Sequence, residues 1–479
     1  MHSAMLLAVA GLAGSATAVT VHGALVFTRH GDRTTKWYKA QALTSLGAEQ
    51  NYQVGGAYRE RYLSSSSPDH IRGISQDKYV GSQIFASAPD QGILMNTATA
   101  FLQGFYPPLE DVAPDMAGQG LNNGTNSTSP LGGYQYVTLH GVNDNSPDAV
   151  WIKGDDACPA YTTSSKGFAK SAEFRARDDA TRDFYAGFYD VLAPGVYNLK
   201  RENLTYAHAF DVFDLINVAR IHNATSPARN VSDADLARLR TLADSAELGL
   251  NWNVSEPMRA VGAKTLSGAV LRQLNATVSS RGAAPKFSLL AGSYDTFLAF
   301  FGLAGLLDAS PDFHGLPEYA SSMAFELFTE EGSSFPADPA ADLRVRWLFR
   351  NGTAGKLTGF PLFGTGEVSL PWPRFVSEMQ KRAISDVGAW CDQCASTADF
   401  CAAYKDDGEA GAKSNGGGGG GGGMSKAVAG VIGAMVTLAV VAVVGGVAWL
   451  VLRRRRAGRK VEDKTSVRSG STDERAENV

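Results

Sequence analysis

The alternation of apolar and polar residues divides this chain into strand-like and helix-like segments. Short apolar or alternating runs predict β-strands at Ala24–Thr28, Gln83–Ser87, Tyr134–Leu139, Lys286–Ala291, Met323–Phe328 and Leu343–Phe349. Apolar residues at helical spacing predict longer helices, and Thr44 and Ser232 are suited to cap two of them. These helices run from Thr44 to about Leu63 and over Leu94–Phe105, Asp233–Gly249, Met258–Val278 and Asp295–Leu307. The mixture predicts an α/β fold.

One long interruption divides the strand pattern. From about Trp151 to Arg281 the periodicity is helical, and strand-like runs resume at Lys286. We therefore expect an α/β domain built from residues 19–150 and 283–405, with residues 151–282 inserted as a smaller helical domain.

Both ends of the chain carry apolar segments that indicate targeting. Residues 1–18 have an apolar core followed by Ala16-Thr17-Ala18, which is typical of a cleavable signal peptide. Residues 427–452 are uncharged, and a bilayer crossing takes about 20 apolar residues. The basic run Arg453–Arg456 follows directly, so the positive-inside rule puts the tail, residues 453–479, in the cytoplasm. A GPI-anchor signal, the alternative, would end with its apolar tail.

Other features fit a single-pass protein of the cell surface or another secretory-pathway membrane. Residues 406–426 predict a flexible linker, because Gly416–Gly423 are all glycine. The four cysteines predict two disulfides, with the Cys391–Cys394 pairing least favoured because so short a loop strains the bond. The same pair could be half of a zinc site, but no second pair supports it. Asparagines that head Asn-x-Ser/Thr triplets, as in glycosylated proteins, all precede the span: Asn123, Asn126, Asn203, Asn223, Asn230, Asn253, Asn275 and Asn351.

The charge distribution limits the possible partners. Residues 453–479 contain nine Lys/Arg and five Asp/Glu, a net charge of +4, so the remainder of a chain whose total is −4 carries −8. An acidic ectodomain argues against nucleic acid as a partner. It also mildly disfavours a highly phosphorylated substrate such as phytate.

The most informative stretch joins a predicted strand to a cluster of charged residues. The apolar run Leu25-Val26-Phe27 leads into the histidine motif, Arg29–Arg33. Ligands of α/β sheets bind at the carboxyl ends of strands, and Arg29 and Arg33 have the planar forks that bind phosphate. Gly31 allows a tight turn and close approach to a ligand. Between the arginines, His30 could act as a neutral imidazole nucleophile. The alternative is a structural histidine at a strand end.

The segment Arg29–Thr34 resembles the signature of the histidine acid phosphatases, branch 2 of the histidine phosphatase superfamily. Further segments resemble that family, and together they extend the likeness over roughly residues 21–400: Leu43–Gly47, Phe101–Pro108, Phe325–Leu327 and Val345–Asn351. The resemblance implies a phosphoglycerate mutase-like fold of three layers around a central mixed sheet, with a helical domain over the active site. It also implies hydrolysis of phosphate monoesters through a phosphohistidine, without a metal or cofactor.

The second half of the family's site is altered. Ser87–Ile93 contains no arginine where the family has one, and the matching position falls at or beside Ile93. Tyr294 replaces a late histidine, while the aspartate after it is present as Asp295. Asp295 could protonate the leaving alcohol or only cap a helix, and Tyr294 could bind a phosphate oxygen or only pack. Basic residues that might compensate for the missing cations are Arg72, His140, His208 and His222.

Two hypotheses follow. In the first, the protein is a membrane-anchored acid phosphatase of weak or narrow activity, in which His30 attacks phosphorus, Arg29, Arg33 and Tyr294 bind the phosphate, and Asp295 is the acid. In the second, it is a pseudophosphatase, a cell-surface glycoprotein that binds or senses an anion with the same residues. A purely structural glycoprotein would leave the histidine motif unexplained.

Overall fold

The strand that carries the histidine motif lies inside a mixed β-sheet. The computed structural model describes residues 19–38, 41–192, 197, 199–332 and 334–404. Its strands are β1 (Thr20–Arg29), β2 (Ile84–Pro89), β3 (Gly118–Gly120), β4 (Asn126–Thr128), β5 (His140–Val142), β6 (Phe287–Gly292), β7 (Ser322–Thr329), β8 (Arg344–Arg350), β9 (Thr358–Phe360) and β10 (Ser369–Pro371).

The order of the strands places three carboxyl ends side by side. The main sheet has the order β10-β8-β7-β1-β6-β2-β5, with β9 beside β8, and β3 and β4 form a separate ribbon. β1, β6, β2 and β5 run parallel, whereas β7 is antiparallel to β1. Arg29 pairs with Gly292 at the end of β6. The prediction that the His30 and Asp295 segments follow neighbouring strands is therefore confirmed.

Helices cover the sheet and fill the predicted insertion. The α-helices are α1 (Ser45–Tyr62), α2 (Gly92–Phe105), α3 (Leu109–Val112), α4 (Pro114–Ala117), α5 (Pro130–Gly133), α6 (Pro159–Gly167), α7 (Ala172–Ala186), α8 (Tyr189–Leu192), α9 (Ala209–His222), α10 (Asp233–Asn251), α11 (Val261–Ser279), α12 (Tyr294–Leu303), α13 (Pro339–Asp342), α14 (Trp372–Gln380) and α15 (Val387–Cys394). Turns of 3₁₀ helix occupy Lys36–Tyr38, Gly81–Gln83, Pro147–Trp151, Phe168–Lys170, Arg201–Asn203, Tyr206–His208, Pro227–Asn230, Pro257–Ala260, Pro311–His314 and Asp399–Tyr404. The division into an α/β domain and a helical insertion stays a prediction, although all elements described between Pro159 and Ser279 are α-helices or 3₁₀ turns.

The core forms two apolar layers, one on each face of the sheet. Successive side chains of a strand point to opposite faces. Ala24 and Val26 pack in the layer that includes α1 and α2, while Leu25 and Phe27 pack in the layer that includes α9–α12. A strand covered on both faces has to be apolar throughout, which explains the uninterrupted run before the histidine motif.

Two predicted elements differ from the structure. The predicted strand Tyr134–Leu139 is wrong, because this segment is irregular and the strand is β5, which begins at His140. The buried side chain of Gln135 holds the segment by donating to the carbonyls of Asp77 and Pro107, both at 2.8 Å. The last predicted helix ends at Leu303 rather than Leu307, because Gly305 adopts a left-handed φ of +70°.

The cysteines form two disulfides, as predicted: Cys158–Cys394 and Cys391–Cys401. Both members of the Cys391-x-x-Cys394 pair are therefore used in disulfides. Within the described ranges, no helix combines the length and apolarity that a membrane crossing requires. The predicted signal peptide (1–18), linker (406–426), transmembrane helix (427–452) and cytoplasmic tail (453–479) lie outside the described residues.

Candidate active site

A cavity of about 470 Å³ opens at the carboxyl ends of β1, β6 and β2. Three chain segments that follow these strands form most of its lining, together with the turn before α6. The lining residues are His30, Arg33, Lys36, Gln41, Gln91, Gly92, Ile93, Leu94, Lys153, Asp156, Ser293, Tyr294 and Asp295. The structure thus brings His30, Arg33, Tyr294 and Asp295 together, as the sequence predicts.

His30 is a neutral imidazole with a defined tautomer. It is 3% exposed, and its Nδ1 lies 2.8 Å from the carbonyl oxygen of Gly31. A carbonyl can only accept, so Nδ1 carries the proton and Nε2 keeps its lone pair. Burial, followed by the charges of Arg29 and Arg33, lowers the pKa of His30 well below its ordinary value. This is the protonation state that a nucleophilic nitrogen needs.

Backbone packing fixes the position of His30. The amide N–H of Gly31 donates to Asn51 Oδ1 at 2.7 Å, and a Cβ at Gly31 would lie 2.2 Å from the carbonyl oxygen of Gly47. Gly31 is therefore required for close contact with the start of α1 rather than for approach to a ligand, which corrects the sequence-based interpretation. The buried carboxylate of Asp32 accepts from Thr44 Oγ1 and pairs with His222 Nε2, both at 2.5 Å.

Arg33 is held by an acid from the helical segment. Its Nη1 lies 3.0 Å from Asp214 Oδ1, and both side chains are almost fully buried. Although burial alone would lower the pKa of Arg33, the Asp214 carboxylate raises it. Asp214 also accepts from Thr35 Oγ1 and from the amide of Lys36, both at 2.8 Å. Arg33 Nε and Nη2 have no hydrogen-bond partner within the described chain, so two donors remain free for an anion.

Arg29 occupies a different position from the one predicted. It lines a neighbouring cavity of about 340 Å³, because alternation along β1 places it on the same face as Leu25 and Phe27. Its guanidinium donates to the carbonyl of Pro317 and lies 5.2 Å from the ring centroid of Tyr294. Burial and the nearby Arg33 lower the pKa of Arg29 to about 10, so it is still a cation that acts on the site across Tyr294.

The hydroxyl of Tyr294 is already engaged. It accepts from Lys36 Nζ at 3.2 Å. Burial, followed by the charges of Glu247 and Asp295, raises the pKa of Tyr294 well above its ordinary value. On its other side is Glu247, whose pKa is raised to about 7 because burial outweighs the effects of Lys36 and of a hydrogen bond to Tyr294. The hydroxyl is therefore shared between Lys36 and Glu247.

Asp295 follows the end of β6 and has a second carboxyl nearby. The N-cap of α12 is Ser293, so the alternative that Asp295 is the cap is wrong. Asp295 Oδ1 accepts from the amide of Thr296 at 2.9 Å. Burial and the charge of Asp295 raise the pKa of Asp155 well above its ordinary value. Asp155 therefore keeps its proton beside Asp295.

The cations proposed to compensate for the missing arginine lie elsewhere. His222 pairs with Asp32, His208 with Asp211, and His140 stacks on Phe85 beside another cavity. Arg72 acts on His22 near the start of β1, at the opposite end from His30. The structure instead brings Lys36 and Lys153 into the lining.

Sequence reasoning missed these two lysines and the acids Asp214, Glu247 and Asp155. Lys36 carried a usable signal, because it follows the histidine motif by only three residues. The acids gave none, because they come from helices and turns distant in sequence. Among the described residues, no cluster of histidine, cysteine or acidic side chains is arranged to hold a metal ion.

In a comparison with protein families, residues 34–349 match the model of the histidine phosphatase superfamily, branch 2. This is more than half of the chain, and it begins directly after the histidine motif. Prostatic acid phosphatase of Homo sapiens is 23% identical over 396 residues, which cover 78% of this chain and 87% of that protein. The Mus musculus protein of the same name is 24% identical over 395 residues, covering 78% and 88%.

Solved structures show the same fold. The phytase of Klebsiella sp. ASR1 superposes with a TM-score of 0.50 at 11% identity, covering 76% of this chain and 96% of that one. The phytase of Citrobacter braakii superposes with a TM-score of 0.51 at 13% identity, covering 77% and 99%. At these identities the similarity establishes the architecture alone.

Proposed function

The chain belongs to branch 2 of the histidine phosphatase superfamily, and on this premise we propose that it hydrolyses phosphate monoesters through a phosphohistidine at His30. One observation carries the proposal. A neutral, oriented imidazole and a buried guanidinium with two unpaired donor atoms line the same cavity. The cavity volume of about 470 Å³ lies in the range of small-molecule sites, roughly 300–1,000 Å³.

The reaction has two displacements. The phosphate binds against Arg33, and the lone pair of His30 Nε2 attacks phosphorus while the bond to the ester oxygen breaks. Asp295 gives a proton to the leaving oxygen, so that the alcohol departs neutral. Water then attacks the phosphohistidine, Asp295 takes up a proton from that water, and the P–N bond breaks to release phosphate and restore His30.

Acidic pH is compatible with this chemistry. Because its pKa is lowered well below 6.5, His30 keeps its lone pair in a range where an ordinary histidine is protonated. Low pH also keeps the Asp155 carboxyl neutral, because burial and the charge of Asp295 raise its pKa well above the ordinary value. Activity should therefore persist at pH 5.

The pseudophosphatase hypothesis has one observation in its favour. Tyr294 brings no positive charge, and its hydroxyl is occupied by Lys36 and Glu247. Removal of a single electrostatic donor can cost about 3–4 kcal/mol at a transition state. Lys36 supplies positive charge at the cavity and supports the enzyme, with activity that is weak or narrow, whereas the charge of Lys153 is paired with Asp156.

The proposed location is the outside of a secretory-pathway membrane. Two disulfides support an oxidising compartment. A glycan can be attached only to an accessible asparagine, and none of the glycosylation-signal asparagines is buried. The −8 charge of residues 1–452 favours a simple monoester over a highly phosphorylated substrate.

A trapping experiment tests the function. The full-length chain is mixed with a ³²P-labelled aryl phosphate at pH 5 and quenched in alkali, where phosphohistidine is stable. We expect label on the wild type and on His140→Ala, the matched control outside the cavity, and none on His30→Ala, whose turnover falls to background. Phosphate binding without label or turnover in the wild type would favour the pseudophosphatase.

A further inference from the structure

The helix α2 begins at the cavity with unpaired amide groups. The first N–H groups of any helix lack acceptors within the helix. The N-cap of α2 is Gln91, whose side chain forms no capping bond and donates to Asp144 Oδ2 at 3.3 Å instead. Within the described chain, the amides of Gly92 and Ile93 have no hydrogen-bond acceptor. Both residues line the cavity.

An unpaired buried side chain in the same cavity indicates that these amides face an anion. Arg33 is 1% exposed, and its Nε and Nη2 lack partners. The residues Gln91–Leu94 of the lining include no cationic side chain. The start of α2 is nevertheless positive, because the dipoles of its 14 residues sum to roughly half an elementary charge at the amino end.

A second helix, α12, begins at the same cavity from the opposite face of the sheet. α12 follows β6 as α2 follows β2, and these strands are parallel neighbours. The N-cap of α12, Ser293, also makes no side-chain capping bond, and Ser293, Tyr294 and Asp295 line the cavity. Two helix amino ends therefore meet beside His30.

We propose that the amide N–H groups of Gly92 and Ile93 bind the non-bridging oxygens of the phosphoryl group, so that the start of α2 supplies by backbone what an arginine side chain would supply. The inference rests on the proposed function, since it concerns the same bound phosphate. It assigns the second phosphate-binding element of this protein to main-chain donors, which stabilise an oxyanion when they are fixed in place.

Two substitutions at Gly92 distinguish the effect of losing the amide N–H from the effect of adding a side chain. Gly92→Pro removes the amide hydrogen at the first helical position, where proline is well accepted. Gln91 already has φ −122° and ψ 128°, which suits a residue before proline. Gly92→Val adds the same number of carbon atoms and keeps the N–H. A Cβ at Gly92 would meet no atom within 4 Å, so both substitutions start in open space.

The measurements are the affinity of the full-length chain for inorganic phosphate, by calorimetry, and kcat/KM for an aryl phosphate. We expect Gly92→Pro to bind phosphate about tenfold more weakly than Gly92→Val and to lose about a hundredfold in kcat/KM relative to it. Equal values for the two variants would overturn the inference. If the wild type binds phosphate without turnover, the proposed function fails while the affinity comparison still decides the inference.

An amide resonance gives a second test that does not depend on the folding of the proline variant. The chain is labelled with ¹⁵N-isoleucine, and Ile93 is assigned by the loss of its signal in Ile93→Val. Phosphate should shift the Ile93 amide proton downfield, as expected for a new charged acceptor. An Ile93 signal that stays in place at saturating phosphate would contradict the inference.

Discussion

The two sides of the cavity are constructed in different ways. On the β1 side, Arg33 is held by a buried carboxylate, and the backbone of Gly31 is fixed by Asn51 and by contact with Gly47. On the α2 side, Gly92 and Ile93 offer main-chain donors, with open space beside Gly92. Packed side chains fix the positions of the groups on the first side, whereas the direction of a helix fixes the donors on the second.

This difference predicts how each side of the cavity responds to substitution. Removing a side chain from the β1 side would leave a buried partner unpaired, which is costly. At the start of α2, a Cβ added at Gly92 would meet no atom within 4 Å, so a substitution there disturbs no neighbour at that atom. We therefore expect substitutions on the β1 side to destabilise the protein and those at Gly92 to change mainly activity.

The largest effect should come from Asp214→Asn. This change leaves the Arg33 guanidinium buried without a countercharge, which typically costs about 3–5 kcal/mol. Urea unfolding of the full-length chain measures it. The control is Asp179→Asn, which breaks the exposed pair with Arg182 and should cost less than about 1 kcal/mol. Equal losses in the two variants would contradict the description of the β1 side.

Gly31→Ala should have the next largest effect. The new methyl group would lie 2.2 Å from the carbonyl oxygen of Gly47, so β1 and α1 must separate at a cost of about 1–3 kcal/mol. Gly56→Ala is the matched control within α1, where a Cβ meets no atom within 4 Å. It should stabilise the protein by about 0.5–1 kcal/mol. Thermal unfolding midpoints moving in opposite directions would confirm the prediction.

Gly92→Arg should strengthen the α2 side. A guanidinium there can reach a bound phosphate, and we expect kcat/KM to rise by about tenfold, or about 1.4 kcal/mol. Gly92→Gln, which is polar but uncharged, should give no such gain. Ile93→Arg, at or beside the position that the resemblance matches to the family's arginine, should destabilise the chain instead, since Ile93 is 8% exposed. A gain for glutamine equal to that for arginine would rule out charge as the cause.

Glu247→Gln should show an effect that is confined to a pH window. The pKa of Glu247 is about 7 in the folded chain and 4.5 is its ordinary value, so the native state loses stability as pH rises from about 4.5 to 7. The glutamine variant should lack this loss and exceed the wild type by about 1–3 kcal/mol at pH 8, with no difference at pH 4. Exposed Glu202→Gln is the control, and parallel pH profiles would refute the prediction.

The parts of the fold encoded locally could be predicted from the sequence. β1, α1 with its Thr44 cap, and the adjacent ends of β1 and β6 all follow from apolar runs, caps and strand direction. The strand expected over Tyr134–Leu139 failed because the alternation reflects Gln135 turned toward loop carbonyls, which cannot be distinguished from a strand pattern in sequence.

The candidate site could be predicted only where its residues sit in the histidine motif or at strand ends. His30, Arg33 and Asp295 do, and they line one cavity. The histidine motif predicts the same position for Arg29, but alternation along β1 directs its side chain into the neighbouring cavity. Asp214 and Glu247 depend on how helices pack over the sheet, which no local pattern records.

The contacts of Asp214 also set an order of events during synthesis of the chain. The histidine motif emerges early, but its acid partner is 181 residues later. The amide of Arg29 donates to the carbonyl of Ser321, and the carbonyl of His30 accepts from the amide of Ala320. A nascent or truncated chain that ends before these residues contains His30 without the surroundings that keep it neutral and oriented. A neutral, oriented His30 is therefore expected only once the chain extends past Ser321.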